Sequence, residues 1–271
     1  MNKMTIYIAS HKPYWAPKHP TYKLLHVGAA NSAVSMPGLR DDSGDSLSCK
    51  NKNYCEITGL YWVWKNDNDS DIVGLCHYRR YLGFQYPFIR FVRKLTANKD
   101  CESYLEKIVD PSNIEQYLKN CDIMLPVPGK WKRNIEELYC FEHIPEDWET
   151  MKEVVKHLYP EYSDTMAQVF SRRWFYPCNM FVMRKSMFND YMSWLYSILS
   201  EVEQRIIISS DPYQARVFGF MAERLFNLYI IHNKFKVKEF PMVFIDEQRS
   251  EFKCSFKNAK YLIRDLKNAF Q

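Results

Sequence analysis

The sequence predicts an α/β fold with a largely parallel central sheet, and three observations support that class. Short apolar runs rich in β-branched and aromatic residues, such as TIYIAS and DIVGLCHY, predict buried strands. Longer stretches with apolar residues at helical spacing separate these runs, and strands that alternate with helices are typical of parallel sheets. No repeat, low-complexity tract or shift in composition marks a linker, so residues 1–271 are predicted to form one domain.

The first predicted strand, Thr5 to Ser10, ends at the segment HKPYWAP, whose two prolines force a loop. Residues 37–53 are rich in Gly, Ser, Asp and Asn, which predicts a long loop. Loops of that length inside a compact domain are usually functional or disordered. This loop is therefore a candidate part of a binding site.

The segment NYCEITGLYWVWKN predicts an amphipathic helix. Asn53 and Glu56 have the spacing of a capping box, in which each side chain accepts a hydrogen bond from the other residue's backbone N–H. The string DND, Asp67 to Asp69, ends this helix and precedes a predicted buried strand over residues 72–76. Asp and Asn are standard turn residues, so a turn is the favoured interpretation of the string.

The later segments continue the alternation of strands and helices. A strand is predicted for CDIMLPVP, and a strand followed by a helix for the run from Phe175 to Arg205. A long helix is predicted for DPYQARVFGFMAERLFNLYIIHN, and a late strand for KFKVKEFPMVFI. The segment KNAKYLIRDLKNAFQ, about residues 257–271, has the pattern of a basic amphipathic helix.

Composition and motifs argue against several classes of function. The net charge of +5 suits a phosphorylated ligand or an anionic membrane surface, but it is too weak and scattered for nucleic-acid binding. No glycine-rich phosphate loop occurs, which argues against a dinucleotide oxidoreductase or a P-loop kinase. None of the eight cysteines forms a C-x-x-C pair, and no apolar run approaches the roughly 18 residues of a membrane span. A cytoplasmic protein is expected.

Polar and cationic side chains follow two of the predicted strands. Ligands of parallel α/β sheets bind in the crevice at the carboxyl ends of the strands. We therefore expect one crevice to be lined by His11, Lys12, His77, Tyr78, Arg79 and Arg80. Guanidinium groups bind phosphate oxygens in a bidentate way, so a diphosphate fits this cationic crevice.

The predicted loop is acidic and leaves two interpretations open. It carries Asp41, Asp42 and Asp45, with Lys50 and Asn51 behind them. In a functional interpretation the carboxylates hold ribose or sugar hydroxyls, and Lys50 lies near phosphate. In the other interpretation this is a solvated polar loop. The spacing of the aspartates misses the calcium-loop pattern.

The DND string has the D-x-D spelling of many metal-dependent glycosyltransferases, yet its position differs. In those enzymes the carboxylates follow a buried strand, whereas here they precede one. Fixed cationic side chains neutralise a departing nucleoside diphosphate as metal ions do. We therefore expect Arg79 and Arg80 to act here with no required cofactor. Mn²⁺ or Mg²⁺ held by His77 and a carboxylate is the alternative.

Two carboxylates are candidates for a general base. Glu223 lies beside Arg224 on an otherwise apolar helix. Either the two residues form a buried ion pair that packs the helix, or Glu223 is a base that deprotonates a sugar hydroxyl. Asp211 is the second candidate, and a helix N-cap is its alternative role.

With HYRRY as its signature, the chain resembles a bacterial family of capsular and O-antigen glycosyltransferases that was long catalogued as a domain of unknown function. The resemblance rests on the blocks YIASHKP, VGAA, DDSGDSLSCKNKNYCEITGLYWVWKN, GLCHYRRYL, YPCNMFVMRKSMFNDYMSWL and ARVFGFMAERLFNLYI, which cover nearly the whole chain in order. It implies a single glycosyltransferase domain of GT-A-like fold. Because relatives include galactofuranosyltransferases, it also implies a UDP-sugar donor. Asn179 and Arg224 are then expected near the donor or the acceptor sugar.

The expected function is therefore transfer of a hexosyl unit, with galactofuranosyl as one candidate, from a UDP-sugar to a growing, lipid-linked surface glycan. A non-catalytic sugar- or nucleotide-binding module in a polysaccharide assembly complex is the alternative, and a hydrolase or phosphotransferase is a third. The helix at 257–271 is expected either to make weak contact with anionic lipid at the inner face of the plasma membrane or to pack on the domain. No nucleic-acid partner is expected.

Overall fold

The structure, a computed structural model, describes residues 2–85, 92–97, 102–246 and 253–256. The amphipathic helix predicted over residues 257–271 lies outside the described residues, so its existence and its contact with lipid stay predictions. The described part is built on a large mixed sheet, with helices on both of its faces.

The main row of the sheet runs in the order β3-β2-β1-β4-β10-β7-β11. Its strands are β1 Met4–Ser10, β2 Tyr22–His26, β3 Leu39–Arg40, β4 Ile72–His77, β7 Ile123–Pro126, β10 Phe181–Arg184 and β11 Val237–Phe240. Within the described residues, β10 alone in this row runs opposite to its neighbours. The predicted α/β class with a largely parallel sheet is therefore confirmed.

A smaller set of strands branches from the end of β4. It comprises β5 Arg80–Leu82, β6 Val92–Ala97, β12 Met242–Ile245 and β13 Lys253–Phe256, and a separate ribbon joins β8 Gly129–Lys130 to β9 Trp174–Phe175. β12 lies between β5 and β6. The late segment KFKVKEFPMVFI, predicted as one strand, is thus two strands in two parts of the sheet. Pro241 separates them because it has no N–H to continue a ladder.

The helices cover the two faces of the sheet unequally. They are α1 Asn51–Tyr54, α2 Ile57–Asn66, α3 Glu102–Ile108, α4 Ile114–Tyr117, α5 Ile135–Glu142, α6 Pro145–Leu158, α7 Ser163–Phe170, α8 Lys185–Arg205 and α9 Val217–His232. Successive residues of β1 point to opposite faces: Tyr7 and Ala9 pack in the cluster with α2 and α5–α9, and Ile6 and Ile8 in the cluster with α3 and α4. Both faces of the central strands are therefore apolar.

The capping box predicted between Asn53 and Glu56 is wrong. The chain turns at Cys55, whose φ is 52°, so the predicted helix is divided into α1 and α2. The amide of Asn53 donates to the carbonyl of Ala215 at 2.8 Å, and Glu56 accepts from Asn179 at 3.0 Å. Partners far away in sequence have thus replaced the local pairing, and they turn Glu56 toward the carboxyl ends of the strands.

Candidate functional site

A cavity of about 740 Å³ opens at the carboxyl ends of β1 and β4. Its inner wall comes from the ends of these strands and from the chain before β10, and its outer wall comes from the end of α5 and from α9 with the turn before it. The lining side chains include His11, Asn51, Lys52, Cys55, Glu56, His77, Tyr78, Arg80, Glu142, His143, Cys178, Tyr213, Arg216, Phe220, Glu223 and Arg224. The position agrees with the rule for ligand sites in α/β sheets.

The residues after β1 and β4 meet, as the parallel-strand argument predicted. Ala9 lies opposite His77 in the ladder, and the rings of His11 and Tyr78 touch edge to face with centroids 5.2 Å apart. The ammonium group of Lys12 lies 5.5 Å from the centroid of the Tyr78 ring. Burial, followed by the charge of Lys12, lowers the pKa of His11, so His11 is neutral at neutral pH.

The two neighbouring arginines of HYRR differ in their surroundings. Arg80 lines the cavity. Arg79 instead donates from Nε to the carbonyl of Ile245 at 3.1 Å, and its guanidinium lies 4.9 Å from the centroid of Phe244. Arg79 lies in the two-residue turn between β4 and β5, whereas Arg80 begins β5 opposite His77, and its guanidinium lies 5.5 Å from the centroid of the same Phe244 ring. Arg80 is therefore the better placed of the two for a phosphate in the cavity.

Asp41 has a structural position in the acidic loop. Its side chain is fully buried and accepts from the backbone N–H groups of Gly28 and Ala29 at 2.9 and 3.0 Å. The hydroxyls of Ser48 and Thr58 also donate to it. Four donors surround this carboxylate, so Asp41 does not hold sugar hydroxyls here. It fixes the loop against the end of β2 and the start of α2.

The other charged residues of the loop also bind protein partners. Asp42 pairs with Arg40 at 2.6 Å, which holds the pKa of Asp42 below its usual value, and Asp45 accepts from the Tyr61 hydroxyl at 3.0 Å. Lys50 pairs with Glu203 at 2.8 Å. Asn51 is the member of this predicted set that lines the cavity, and its amide donates to the Cys55 carbonyl.

A strained turn before β10 joins the strand ends to α9. Cys178 and Asn179 have φ values of 71° and 49°, in a region that non-glycine residues rarely adopt. The Cys178 carbonyl accepts from His77 Nε2 at 2.6 Å, and the Cys178 N–H donates to Glu223 Oε1. Glu223 Oε2 accepts from Arg224 at 2.7 Å. Both oxygens of Glu223 are engaged, so the geometry favours the ion-pair interpretation of Glu223 over the general base.

Glu56, like Glu142, is a cavity carboxylate that sequence reasoning missed. Its Oε1 accepts from the side chain of Asn179, which is itself 1% exposed. Among the described residues, no hydrogen bond engages the other oxygen, which is left for a ligand. The sequence carried no local signal for this role, because the residue that orients Glu56 lies 123 positions later in the chain.

The second predicted base, Asp211, is a capping residue. Its Oδ1 accepts from the backbone N–H groups of Tyr213 and Gln214 at 3.0 and 2.9 Å, and the side chain is exposed. It does not line the cavity, so the N-cap alternative is the one that the geometry favours.

Two thiols line the cavity, and neither is an activated nucleophile. Burial raises the pKa of Cys55 to about 11 and that of Cys178 to about 12. The thiolate is the reactive form of cysteine, and both groups are protonated at neutral pH. A mechanism that begins with cysteine attack is therefore disfavoured.

The DND string forms the turn that its composition predicts. Asp67 accepts from the Tyr7 hydroxyl at 2.8 Å and from the backbone N–H groups of Asp69 and Ser70 at 3.1 Å. It precedes β4, whereas the cavity lies at the other end of that strand. Within the described ranges, no group of three or more His, Cys, Asp or Glu residues is arranged to hold a metal ion.

In the part of the chain that the structure describes, no helix combines the length and the apolar character needed to cross a bilayer.

Comparison with known proteins gives a family and solved structures of similar fold. Residues 5–234 match the model of a family described as a domain of unknown function, DUF4422, and no curated protein matches the chain. An apo structure of WbbM, a bifunctional glycosyltransferase, matches with a TM-score of 0.83 and 37% sequence identity. The match covers 90% of this chain and 46% of that one, so this chain spans about half the length of WbbM. The predicted GT-A-like α/β fold is thereby confirmed.

Proposed function

Because the chain belongs to the DUF4422 family and has the fold of a glycosyltransferase, we propose that it transfers a hexosyl unit from a UDP-sugar to a glycan. One observation carries the proposal: a cavity at the strand ends combines a cation, Arg80, with a carboxylate, Glu56, that has an oxygen free for a ligand. A departing diphosphate needs positive charge, and an attacking hydroxyl needs a base. A protein that only binds a nucleotide needs the positive charge but not the base.

The proposed reaction is a direct displacement. An acceptor hydroxyl gives its proton to Glu56, and its oxygen forms a bond to the anomeric carbon of the donor. The bond from that carbon to the diphosphate breaks, and the electron pair stays on UDP next to Arg80. Attack in line with the departing oxygen inverts the anomeric centre. Galactofuranose is the donor sugar that we propose, on the resemblance in sequence.

Four buried or half-buried residues support this arrangement without touching the reacting atoms. Asn179 holds Glu56 through one oxygen, and Glu223 holds the turn that carries Asn179. Arg224 neutralises Glu223 and is 4% exposed, so it acts as an ion-pair partner inside the wall of the cavity. His77 holds the same turn from the opposite side.

A thermal-shift titration tests the donor class. UDP and UDP-hexoses should raise the melting temperature of the protein in proportion to their affinity, because a ligand that binds the folded state stabilises it. GDP-mannose serves as the control for nucleotide specificity. No shift with any UDP compound would remove the basis of the proposal.

Replacing Arg80 with Ala should weaken UDP binding strongly, because a partly desolvated contact between guanidinium and phosphate is lost. The cost expected for such a contact is about 2–5 kcal/mol. Isothermal titration calorimetry with UDP measures it. Arg79→Ala is the matched control, since Arg79 is bonded to the Ile245 carbonyl outside the cavity lining. A larger loss for Arg79→Ala than for Arg80→Ala would show that the neighbouring arginine binds the phosphates.

Transfer should need no divalent metal if fixed cations neutralise the diphosphate. Activity measured in excess EDTA should then stay within about twofold of activity in buffer, since the contribution of Arg80 is independent of metal. A loss of activity that Mn²⁺ or Mg²⁺ restores would contradict this proposal and would direct attention to His77 and Glu56 as ligands.

The acceptor is proposed to be a lipid-linked glycan of a surface polysaccharide, again on the resemblance in sequence. Weak contact with anionic lipid through residues 257–271 belongs to the same proposal. Lys and Arg near an anionic surface each contribute about 1 kcal/mol to such contacts.

A further inference from the structure

The outer wall of the cavity is an aromatic surface. His143 stacks on Phe220 with ring centroids 3.9 Å apart and planes 18° apart. Tyr213 lies 5.7 Å from the ring of His143 and 5.2 Å from that of Phe220. All three side chains line the cavity. We call Tyr213, His143 and Phe220 the aromatic wall.

Tyr213 is unusually open for an aromatic residue of this protein. It is 52% exposed, while His143 beneath it is 8% exposed. Burial lowers the pKa of His143 to about 4, so this imidazole is uncharged at neutral pH and belongs to the apolar stack. The exposed ring of Tyr213, packed on the buried ring of His143, is a preformed flat surface.

Hydrogen bonds hold the aromatic wall in place. The turn that carries Tyr213 is capped by Asp211, and Gln214 next to it bonds the ring of His143 at 3.2 Å and the carbonyl of Glu142 at 3.0 Å. Little conformational freedom is therefore lost when a ligand stacks on Tyr213, which favours binding.

Charged groups border the aromatic wall. Glu142 and Arg216 are both exposed and both line the cavity. Arg216 lies over the Phe220 ring at 5.5 Å and contacts the thiol of Cys55 at 3.3 Å. A carboxylate that accepts and a guanidinium that donates, beside an aromatic face, match a ring whose rim carries hydroxyls and whose faces carry C–H groups.

The wall adjoins the carboxylate assigned as the base. Cys55, which Arg216 contacts, immediately precedes Glu56, and Phe220 lies one helical turn before Glu223 on α9. A ring stacked on Tyr213 therefore lies in the same cavity as Glu56, which lines it together with the aromatic wall. The acceptor needs this place, since its hydroxyl must reach the base.

We propose that the aromatic wall, with Glu142 and Arg216, is the subsite for a hexose ring of the acceptor glycan. This inference rests on the proposed transfer reaction. The exposure of Tyr213 suits a ligand that continues into solvent, as a glycan chain does. A uracil ring is the other planar ligand that would stack here, and the test separates the two.

The test uses methyl β-D-galactopyranoside as the probe, observed by saturation-transfer NMR, and UDP, observed by calorimetry. The native protein should transfer saturation to the C–H protons of the glycoside. Tyr213→Ala should raise the Kd of the glycoside by about 2- to 10-fold, as expected for loss of one stacking contact. Tyr213→Trp should retain binding, and the Kd for UDP should be unchanged in both variants.

Phe141→Ala is the matched control. Phe141 is an aromatic residue that is 67% exposed near the end of α5, close in sequence to His143, but it does not line the cavity. The variant should bind the glycoside as the native protein does. Absence of saturation transfer in the native protein, or equal glycoside binding by Tyr213→Ala, overturns the inference. Weaker UDP binding in Tyr213→Ala also overturns it, since the wall would then hold the base of the donor. Failure of UDP to bind the native protein would instead count against the transfer reaction alone.

Discussion

Replacing Glu56 with Gln is expected to lower the rate of sugar transfer by about 10²- to 10⁴-fold, the contribution typical of a positioned general base. The amide keeps the size of the side chain and still accepts from Asn179, but it cannot take a proton from the acceptor hydroxyl. The Kd for UDP should change little, because Glu56 is assigned to the acceptor and Arg80 to the phosphates. Steady-state transfer rates and UDP calorimetry on the same preparation measure both quantities.

Two other carboxylates serve as comparisons for Glu56. Asp211→Asn should keep its transfer rate, because Asn caps a turn about as well as Asp does. Glu223→Gln should mainly lower stability, since it removes the charge that Arg224 neutralises while a carbonyl oxygen stays available to Cys178. If Glu223→Gln abolishes transfer in a folded protein and Glu56→Gln does not, the assignment of the base is wrong.

Replacing Asp41 with Ala should lower the free energy of unfolding by about 3–5 kcal/mol, because buried donors lose their acceptor. The backbone N–H groups of Gly28 and Ala29 and the hydroxyls of Ser48 and Thr58 all donate to this carboxylate. Urea denaturation of the purified variant measures the loss.

Asp42→Ala is the matched control for Asp41. The neighbouring carboxylate has one charged partner, Arg40, near the surface, so its removal should change stability by no more than about 1 kcal/mol. Equal stability of the two variants would contradict the structural role of Asp41. A stable Asp41→Ala protein that no longer binds UDP-sugar would restore the alternative in which this loop holds the donor.

The features that the sequence predicted correctly are those that depend on local pattern. β1 and β4 are continuous apolar runs because helices cover both faces of the sheet, and such runs are visible without a structure. The meeting of His11 with Tyr78 followed from one rule, that parallel strands end at the same edge. α9, predicted from about residue 211, begins instead at Val217, after a short 3₁₀ turn of residues 214–216.

The features that escaped the sequence depend on contacts between distant segments. Glu56 looked like half of a capping box, and only its contact with Asn179 places it in the cavity. Asp41 and Arg79 looked like ligand groups because charge in a loop or after a strand is typical of sites. Their partners, the N–H groups after β2 and the Ile245 carbonyl, are set by the tertiary fold.

Short elements were missed for a related reason. β2, with the sequence YKLLH, has polar residues at its second and last positions and does not alternate cleanly, yet it pairs along five residues with β1. Pairing with a strong neighbour stabilises such a strand more than its own composition does. The aromatic wall escaped in the same way, because α5 and the turn before α9 meet only in the fold.

The release of UDP from UDP-galactofuranose tests the central claim most directly. The native protein, supplied with methyl β-D-galactopyranoside as acceptor, is expected to release UDP in step with formation of a disaccharide, and Glu56→Gln is expected to release almost none. Other UDP-hexoses and glycosides extend the panel if the first pair is not the natural one. If the native protein binds UDP-sugars but releases no UDP with any acceptor of the panel, it is a binding module and the account of transfer is contradicted.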